Sequence, residues 1–250
     1  MRAASPGTVG DSVGDRYAEV EALIRREPAV DGEQGVAGGL RRLCGAAGRA
    51  LAASGAGLTV MTGGGLRGMT AASDAATERL EELQLTLGEG PCVDAYESMR
   101  PVLIPDVADG AMARWPVYAP AVHAEGVRAV FAFPLQVGAA RLGVMDVFRT
   151  GPGMLSPDEL TLALTFAEVA VSTLLDGRDR SGLTDGRLDD PLGSRAELFQ
   201  AQGMVMVQLG VSLAEAMVRI RAHAYVHDLR LHDVAADIVA RRLSFETPQT

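Results

Sequence analysis

The sequence contains no lysine and no asparagine, so all 23 of its basic residues are arginines. This bias extends over the whole chain and indicates GC-rich coding rather than a chemical requirement. Cysteine is scarce too, because Cys44 and Cys92 are the only two in 250 residues. Two cysteines so far apart provide neither a disulfide framework nor a cysteine-based zinc site, and they suit a reducing compartment.

Long apolar runs are also missing. No stretch reaches the ~18 consecutive apolar residues of a membrane-spanning helix, because residues 129–137 are too few and residues 160–175 include Glu168. The N-terminal residues lack the apolar run of a signal peptide. We therefore expect a cytoplasmic protein that makes no contact with a membrane. Its apolar content of 48% is sufficient for a packed core.

The chain has no excess of positive charge, since its formal net charge is −9. From residue 194 onward six arginines balance six acidic residues, so the negative charge lies in the rest of the chain. This distribution excludes long-range attraction of nucleic acid by the whole chain, but not binding by a C-terminal module. His223, His227 and His232 lie in this module and would add positive charge as the pH falls.

Residues 194–245 show the pattern of three short helices, each with a single apolar stripe. Ser194 is a candidate N-cap for the first helix, and Gly210 follows its last apolar residue as a C-terminal glycine does. Ser212 and Glu215 form a capping box that opens the second helix. Because each helix has one apolar face, the three are expected to pack against one another as an all-α bundle.

An ordered set of motifs runs through these helices. It comprises Gln200-Ala201-Gln202-Gly203 with Met206, then Ala216, Arg219 and Arg221, and finally Arg230-Leu231-His232-Asp233-Val234-Ala235. This set resembles the ANTAR domain, the RNA-binding output module of bacterial transcription antiterminators. The resemblance implies that positions 202, 219, 221, 230 and 232 face RNA. Gln202 stands where the family frequently has lysine, and His232 where it frequently has arginine, which lowers the expected electrostatic attraction.

An RNA surface needs positive charge for phosphates and side chains that hydrogen-bond to or stack on unpaired bases. Arg219, His223 and His227 recur every four residues and form one polar stripe on the second helix. The alternative is an ordinary solvated helix face. The two histidines lack the glutamate of a metalloprotease motif, so no metal site is expected. The predicted RNA-binding residues are Arg195, Gln202, Arg219, Arg221, His223, Arg230 and His232.

Residues 36–175 alternate between helical and strand-like patterns and predict an α+β domain, an antiparallel sheet flanked by helices. The glycine run at 63–65 is a turn between two strands and lacks the features of a phosphate-binding loop. The predicted strands are 57–61, 69–73, 101–106, 126–135 and 142–148, and the predicted helices are 36–54, 74–85, 115–125 and 156–175.

Three motifs in this domain resemble those of GAF domains. They are G-E-G-P-C-V-D-A at 88–95, R-P-V-L-I-P-D at 100–106, and F-P-L with L-G-V-M-D between 133 and 146. The resemblance implies a ligand pocket on the sheet, although the same side chains would serve equally as core. Cys92 is expected in a turn bounded by glycine and proline. No catalytic set and no cofactor motif is found. The predicted pocket residues are Cys92, Tyr96, Trp115, Phe131 and Phe133.

The predicted organisation is a mobile arm at 1–35, in which 17–26 can form a short helix, then a GAF-like sensor at 36–175. A flexible linker at 176–193 and an ANTAR-like domain at 194–245 follow. Apolar residues near heptad spacing on the last sensor helix predict a homodimer seam: Leu160, Leu164, Ala167, Val171 and Leu174. The leading hypothesis is a regulator without enzymatic activity, which senses a small molecule and binds hairpin RNA in nascent transcripts to promote antitermination. The alternatives are a DNA-binding regulator, a GAF-type redox enzyme and a protein-interaction module.

Overall fold

The computed structural model describes residues 9–29, 35–61, 67–181 and 193–245. Their helices and strands follow the predicted order, with additional helices at Pro91–Ser98 and Met112–Arg114 and a longer one than expected at Val9–Arg26. The elements are α1 (Val9–Arg26), α2 (Gly35–Ala50), β1 (Gly55–Met61), β2 (Arg67–Ala72), α3 (Ala75–Leu87), α4 (Pro91–Ser98), β3 (Val102–Ile104), α5 (Met112–Arg114), α6 (Tyr118–Ala124), β4 (Ala129–Val137), β5 (Ala140–Arg149), α7 (Pro157–Ser181), α8 (Gly193–Leu209), α9 (Leu213–Val226) and α10 (Leu231–Val239).

The five strands form one antiparallel sheet in the order β2-β1-β5-β4-β3. The strand β3 lies at one edge, as its flanking Pro101 and Pro105 predict, since proline cannot donate to a sheet ladder. β4 and β5 pair from Ala129–Arg149 at one end to Val137–Ala140 at the hairpin turn. The α+β class and the antiparallel sheet are therefore confirmed.

Side chains on β4 alternate between the two faces of the sheet, as the pleat of a strand requires. Phe131 and Phe133 pack into the layer formed by α1, α2 and α7. Val130 and Ala132 pack into the opposite layer, which contains α3, α4 and α6. The sheet thus separates two apolar layers that share no side chain of β4.

Helix α1 includes the short helix expected at 17–26 and begins earlier, at Val9, within the segment predicted as a mobile arm. Val20 is fully buried, and Tyr17, Leu23 and Ile24 pack beside it against the sensor core. The Tyr17 hydroxyl also donates a 2.7 Å hydrogen bond to Glu168 on α7. The apolar residues recur at helical spacing, which lets this segment bury one face instead of remaining mobile. Residues 1–8 lie outside the described part of the chain.

Helix α7 begins at the predicted cap. Ser156 accepts a bond from the backbone N–H of Glu159, and the Glu159 carboxylate accepts one from the N–H of Ser156. The helix continues to Ser181, into the segment predicted as linker, whose residues 182–192 lie outside the described chain. Much of the predicted dimer seam is covered within the chain, because Ala167 is buried in the sensor core. Leu164 remains 41% exposed.

Helices α8, α9 and α10 form the predicted bundle. Val205, Ile220 and Val234, one from each helix, are fully buried at its centre. Ser212 caps α9 by accepting a bond from the N–H of Glu215 at 3.2 Å. In the described residues no single helix is long and apolar enough to cross a membrane. One pair bent by 104°, Glu197–Leu209 with Leu213–Val226, meets the length and composition criterion only when joined.

Candidate nucleic-acid interface and the sensor surface behind it

The polar stripe predicted on α9 is present and partly exposed. Arg219 is 52% exposed in its side chain and lies 3.7 Å from Glu215, one turn earlier. The rings of His223 and His227 are 4.3 Å apart, and His223 also meets the edge of Phe245. Burial, and then the neighbouring His227, lowers the pKa of His223. This histidine therefore gains its charge only at a pH below its ordinary range.

Two other predicted RNA-binding residues have partners inside the bundle. Gln202 is 3% exposed, and its amide nitrogen donates a 2.7 Å bond to the carbonyl of Leu213, tying α8 to the start of α9. A side chain in this position holds the bundle together and does not face RNA in this conformation. His232 lies 3.7 Å from Glu197 on α8. The side chain of Arg195 lies outside the described residues.

Arg230 and Arg221 contact the sensor domain rather than solvent alone. The Arg230 guanidinium lies 3.8 Å from Glu78 and 3.5 Å from Glu82, both on α3. Burial raises the pKa of Glu82, and the charge of Arg230 opposes that rise. Arg221 lies over Gly88 at the end of α3, where a Cβ would come within 2.6 Å of its Nη1. A cation is favourable at a helix C-terminus because it interacts with the helix dipole.

Leu85 joins the two domains through apolar packing. It belongs to α3 of the sensor, yet it is 5% exposed and lies in the same buried cluster as the core residues of the bundle. Beside it runs a groove of about 480 Å³ between α3 and α6 on one side and the end of α9 on the other. We call the surface formed by Glu78, Glu82, Leu85 and Gly88 the α3 docking face.

The sequence did not identify the α3 docking face. Glu78, Glu82 and Leu85 recur at helical spacing, so the pattern does place them on one face of α3. Nothing local in the pattern shows that this face meets arginines more than a hundred residues further along the chain. The predicted patch is therefore divided, with Arg219 exposed and Arg221 and Arg230 held against the sensor.

The five predicted pocket residues do not line one pocket. Cys92, Tyr96 and Trp115 lie in the layer of α3, α4 and α6, whereas Phe131 and Phe133 lie on the other face of the sheet. Alternation along β4 places Phe131 and Phe133 together on one face of the sheet. Cys92 also lies in helix α4 rather than in a turn. Pro91 in the first turn of α4 is the signal that marks this helix start.

An α+β sheet domain thus packs against a formally neutral three-helix bundle. The chain belongs to the GAF domain family, whose model matches residues 35–174, more than half of its length, and it carries an ANTAR domain at residues 187–239. Both resemblances drawn from the motifs are thus confirmed. Domains of these two kinds are typically regulatory, and together they fit a signal-sensing regulator.

Solved structures show the same fold for the sensor. The GAF domain of a phosphoenolpyruvate-protein phosphotransferase from Coxiella burnetii is 14% identical, covers 70% of this chain and all of that chain, and gives a TM-score of 0.51. The corresponding domain from Acinetobacter is 10% identical, covers 69% of this chain and 98% of that chain, and gives the same TM-score. No curated protein matches the chain.

Proposed function

We propose that this protein is a cytoplasmic regulator whose ANTAR bundle binds hairpin RNA in nascent transcripts and promotes transcription antitermination under control of the GAF domain. The observation that carries the proposal is the ion pairing of Arg230 with Glu78 and Glu82. Carboxylates and RNA phosphates pair with an arginine in the same way. In this proposal the sensor and RNA therefore compete for Arg230.

The groups left accessible on the bundle suit RNA. Arg219 offers charge for phosphates, and the paired rings of His223 and His227 offer planar surfaces on which unpaired bases can stack. The exposed aromatic ring of Tyr225, 55% exposed, lies on the same helix. Because the bundle is formally neutral, one module would bind weakly, and a homodimer that grips two hairpins would gain affinity through effective concentration.

The competing readings have less support. A DNA-reading helix needs side chains that bond to base edges, whereas α10 carries Asp233 and Asp237. A redox enzyme needs a reactive thiolate, whereas burial raises the pKa of Cys44. Cys92 is also fully buried and lies across the sheet from Cys44. We therefore propose a regulator without catalytic activity, whose sensor responds to a ligand by changing its hold on the bundle.

The test is an RNA selection followed by affinity measurements on the full chain. Hairpins with random loops would be selected on the wild-type protein, and the dissociation constant of the best hairpin measured by fluorescence anisotropy. We expect Arg219→Ala to weaken binding by about 10-fold, and Glu78→Gln with Glu82→Gln to strengthen it by about 5-fold, because the competing carboxylates are removed.

The matched control is Glu97→Gln with Asp158→Asn, which changes the net charge equally at two exposed sensor positions away from Arg230. This control should leave the affinity within 2-fold of the wild type. Selection of no hairpin above background, or equal binding of the duplex DNA of the same sequence, would contradict RNA recognition. Equal strengthening by both double variants would show that net charge alone acts and that the α3 docking face does not compete.

A further inference from the structure

The interior of the sensor contains a polar cluster that the predicted ligand pocket does not include. Glu81 on α3, Cys92 on α4 and Asp146 on β5 are all fully buried. One donor atom from each, two carboxylate oxygens and a sulfur, lie within 4.8 Å of one another. Three elements from distant parts of the chain therefore bring an O, O, S donor set to one point under the sheet.

In each carboxylate, one oxygen accepts a hydrogen bond from a neighbouring side chain. The other oxygen is left for the cluster. Glu81 Oε2 accepts a 2.7 Å bond from the Thr59 hydroxyl, and Asp146 Oδ2 accepts a 3.2 Å bond from the Gln84 amide. Glu81 Oε1 and Asp146 Oδ1 accept no bond from the described residues. Neutral donors that orient a carboxylate in this way are characteristic of the outer shell of a metal site.

Tyr118 gives a second, independent indication of a ligand. Its side chain is 1% exposed, and its hydroxyl has no hydrogen-bond partner among the described residues. Tyr118 packs in the same buried layer of the sensor as Cys92. A buried hydroxyl without a partner is costly, and a ligand at the cluster would relieve that cost.

The backbone also leaves room for the carboxylates. Gly57 on β1 lies beneath Glu81, and a Cβ there would overlap Oε1 of that side chain. The glycine at this position therefore leaves the space that the Glu81 carboxylate occupies.

We propose that Glu81, Cys92 and Asp146 form a buried binding site for one divalent metal ion of the Zn²⁺ class. Zn²⁺ accepts thiolate and carboxylate ligands together, whereas Mg²⁺ and Ca²⁺ take oxygen ligands. The ion would neutralise two carboxylates that otherwise cannot both be charged without solvent. An ion also suits the place better than an organic ligand, because every side chain of the cluster is buried.

The test measures Zn²⁺ binding to the full-length protein after removal of metal with a chelator. Isothermal titration should give one Zn²⁺ per chain, and Cys92→Ser or Asp146→Asn should weaken that binding by at least ~10-fold. Cys44→Ser, which changes the other buried cysteine, on α2, should not alter this binding. His227→Ala, which breaks the close His223–His227 pair on α9, should not alter it either. Loss of binding in His227→Ala, or unchanged binding in Cys92→Ser and Asp146→Asn, would overturn the proposal.

A second measurement does not depend on the folding of a variant. Wild-type protein saturated with Co²⁺ should show the near-ultraviolet charge-transfer absorption of a cobalt–thiolate bond, and protein expressed with added Zn²⁺ should retain about one metal ion per chain after purification. The absence of both signals in the wild type would sink the site. Neither readout involves RNA, so the metal site and the proposed function can fail separately.

Discussion

The sensor and the bundle place their polar and apolar groups in opposite ways. The sensor buries two carboxyl groups, those of Glu81 and Asp146, and it also buries Trp115, Phe131 and Phe133 almost completely. The bundle leaves many of its large apolar side chains exposed by two-fifths or more: Phe199, Val207, Leu213, Val218, Tyr225, Val226 and Leu229. The chemistry of the sensor thus lies inside it, and that of the output lies on its surface.

Substitutions in the two cores should give the largest difference between the unfolding of the sensor and that of the bundle. Phe133→Ala, in the sensor core, should cost about 3–5 kcal/mol, and Ile220→Ala, in the bundle, roughly 3 kcal/mol. Trp115 is the single tryptophan and lies in the sensor, so its fluorescence reports on that domain during urea unfolding. Phe133→Ala should shift the Trp115 midpoint strongly, and Ile220→Ala should shift mainly the helical signal in circular dichroism. If both substitutions shifted the Trp115 midpoint equally, the sensor and the bundle would unfold as one cooperative unit.

Leu85→Ala, at the contact between the modules, should reduce the free energy of unfolding by about 2 kcal/mol. Because Leu85 belongs to α3 and to the buried cluster of the bundle, both the Trp115 transition and the helical transition should move. Leu80→Ala is the matched control, since Leu80 lies on the same helix but packs into the sensor layer. This control should move the Trp115 transition alone. Identical behaviour of the two variants would contradict the assignment of Leu85 to both modules.

The smallest expected difference concerns the helix caps. Asp74 caps α3 with 2.9 Å bonds from the N–H groups of Ala76 and Thr77, whereas Ser212 caps α9 with one bond. Burial by itself would raise the pKa of Asp74, but hydrogen bonds to its carboxylate outweigh that effect and leave the pKa below its ordinary value. The charged Asp74 cap therefore contributes its full stabilisation at a pH above the ordinary pKa of aspartate. This contribution is lost as the pH falls through the lowered pKa of the folded state.

Asp74→Asn should accordingly reduce the free energy of unfolding by less than about 1 kcal/mol near pH 7, because the carboxylate is partly solvated. The difference from wild type should shrink as the pH falls below ~4. Ser212→Ala should cost about 1 kcal/mol at every pH. Urea unfolding over this pH range measures both, and a constant deficit in Asp74→Asn would contradict the lowered pKa.

The sequence was informative wherever a pattern is local. The strands and the three bundle helices were predicted because alternation, helical spacing and caps such as Ser212 lie within a few residues of one another. Helix α1 was expected only at 17–26, because Gly10, Asp11, Gly14 and Asp15 interrupt the apolar pattern before it. The α3 docking face, and the meeting of Glu81 with Asp146, depend on tertiary packing that no short window of sequence contains.

Helix α3 has a further consequence, because its two faces belong to different parts of the molecule. Glu81 and Gln84 point into the sensor, while Glu78, Glu82 and Leu85 point toward the bundle. If a ligand inside the sensor shifts this helix, it changes the affinity of the bundle for RNA. Thermodynamic linkage then requires RNA to change the affinity for that ligand by the same factor. A transcript bound to the bundle would in that case act as an effector of the sensor, because it would change the ligand concentration to which the sensor responds.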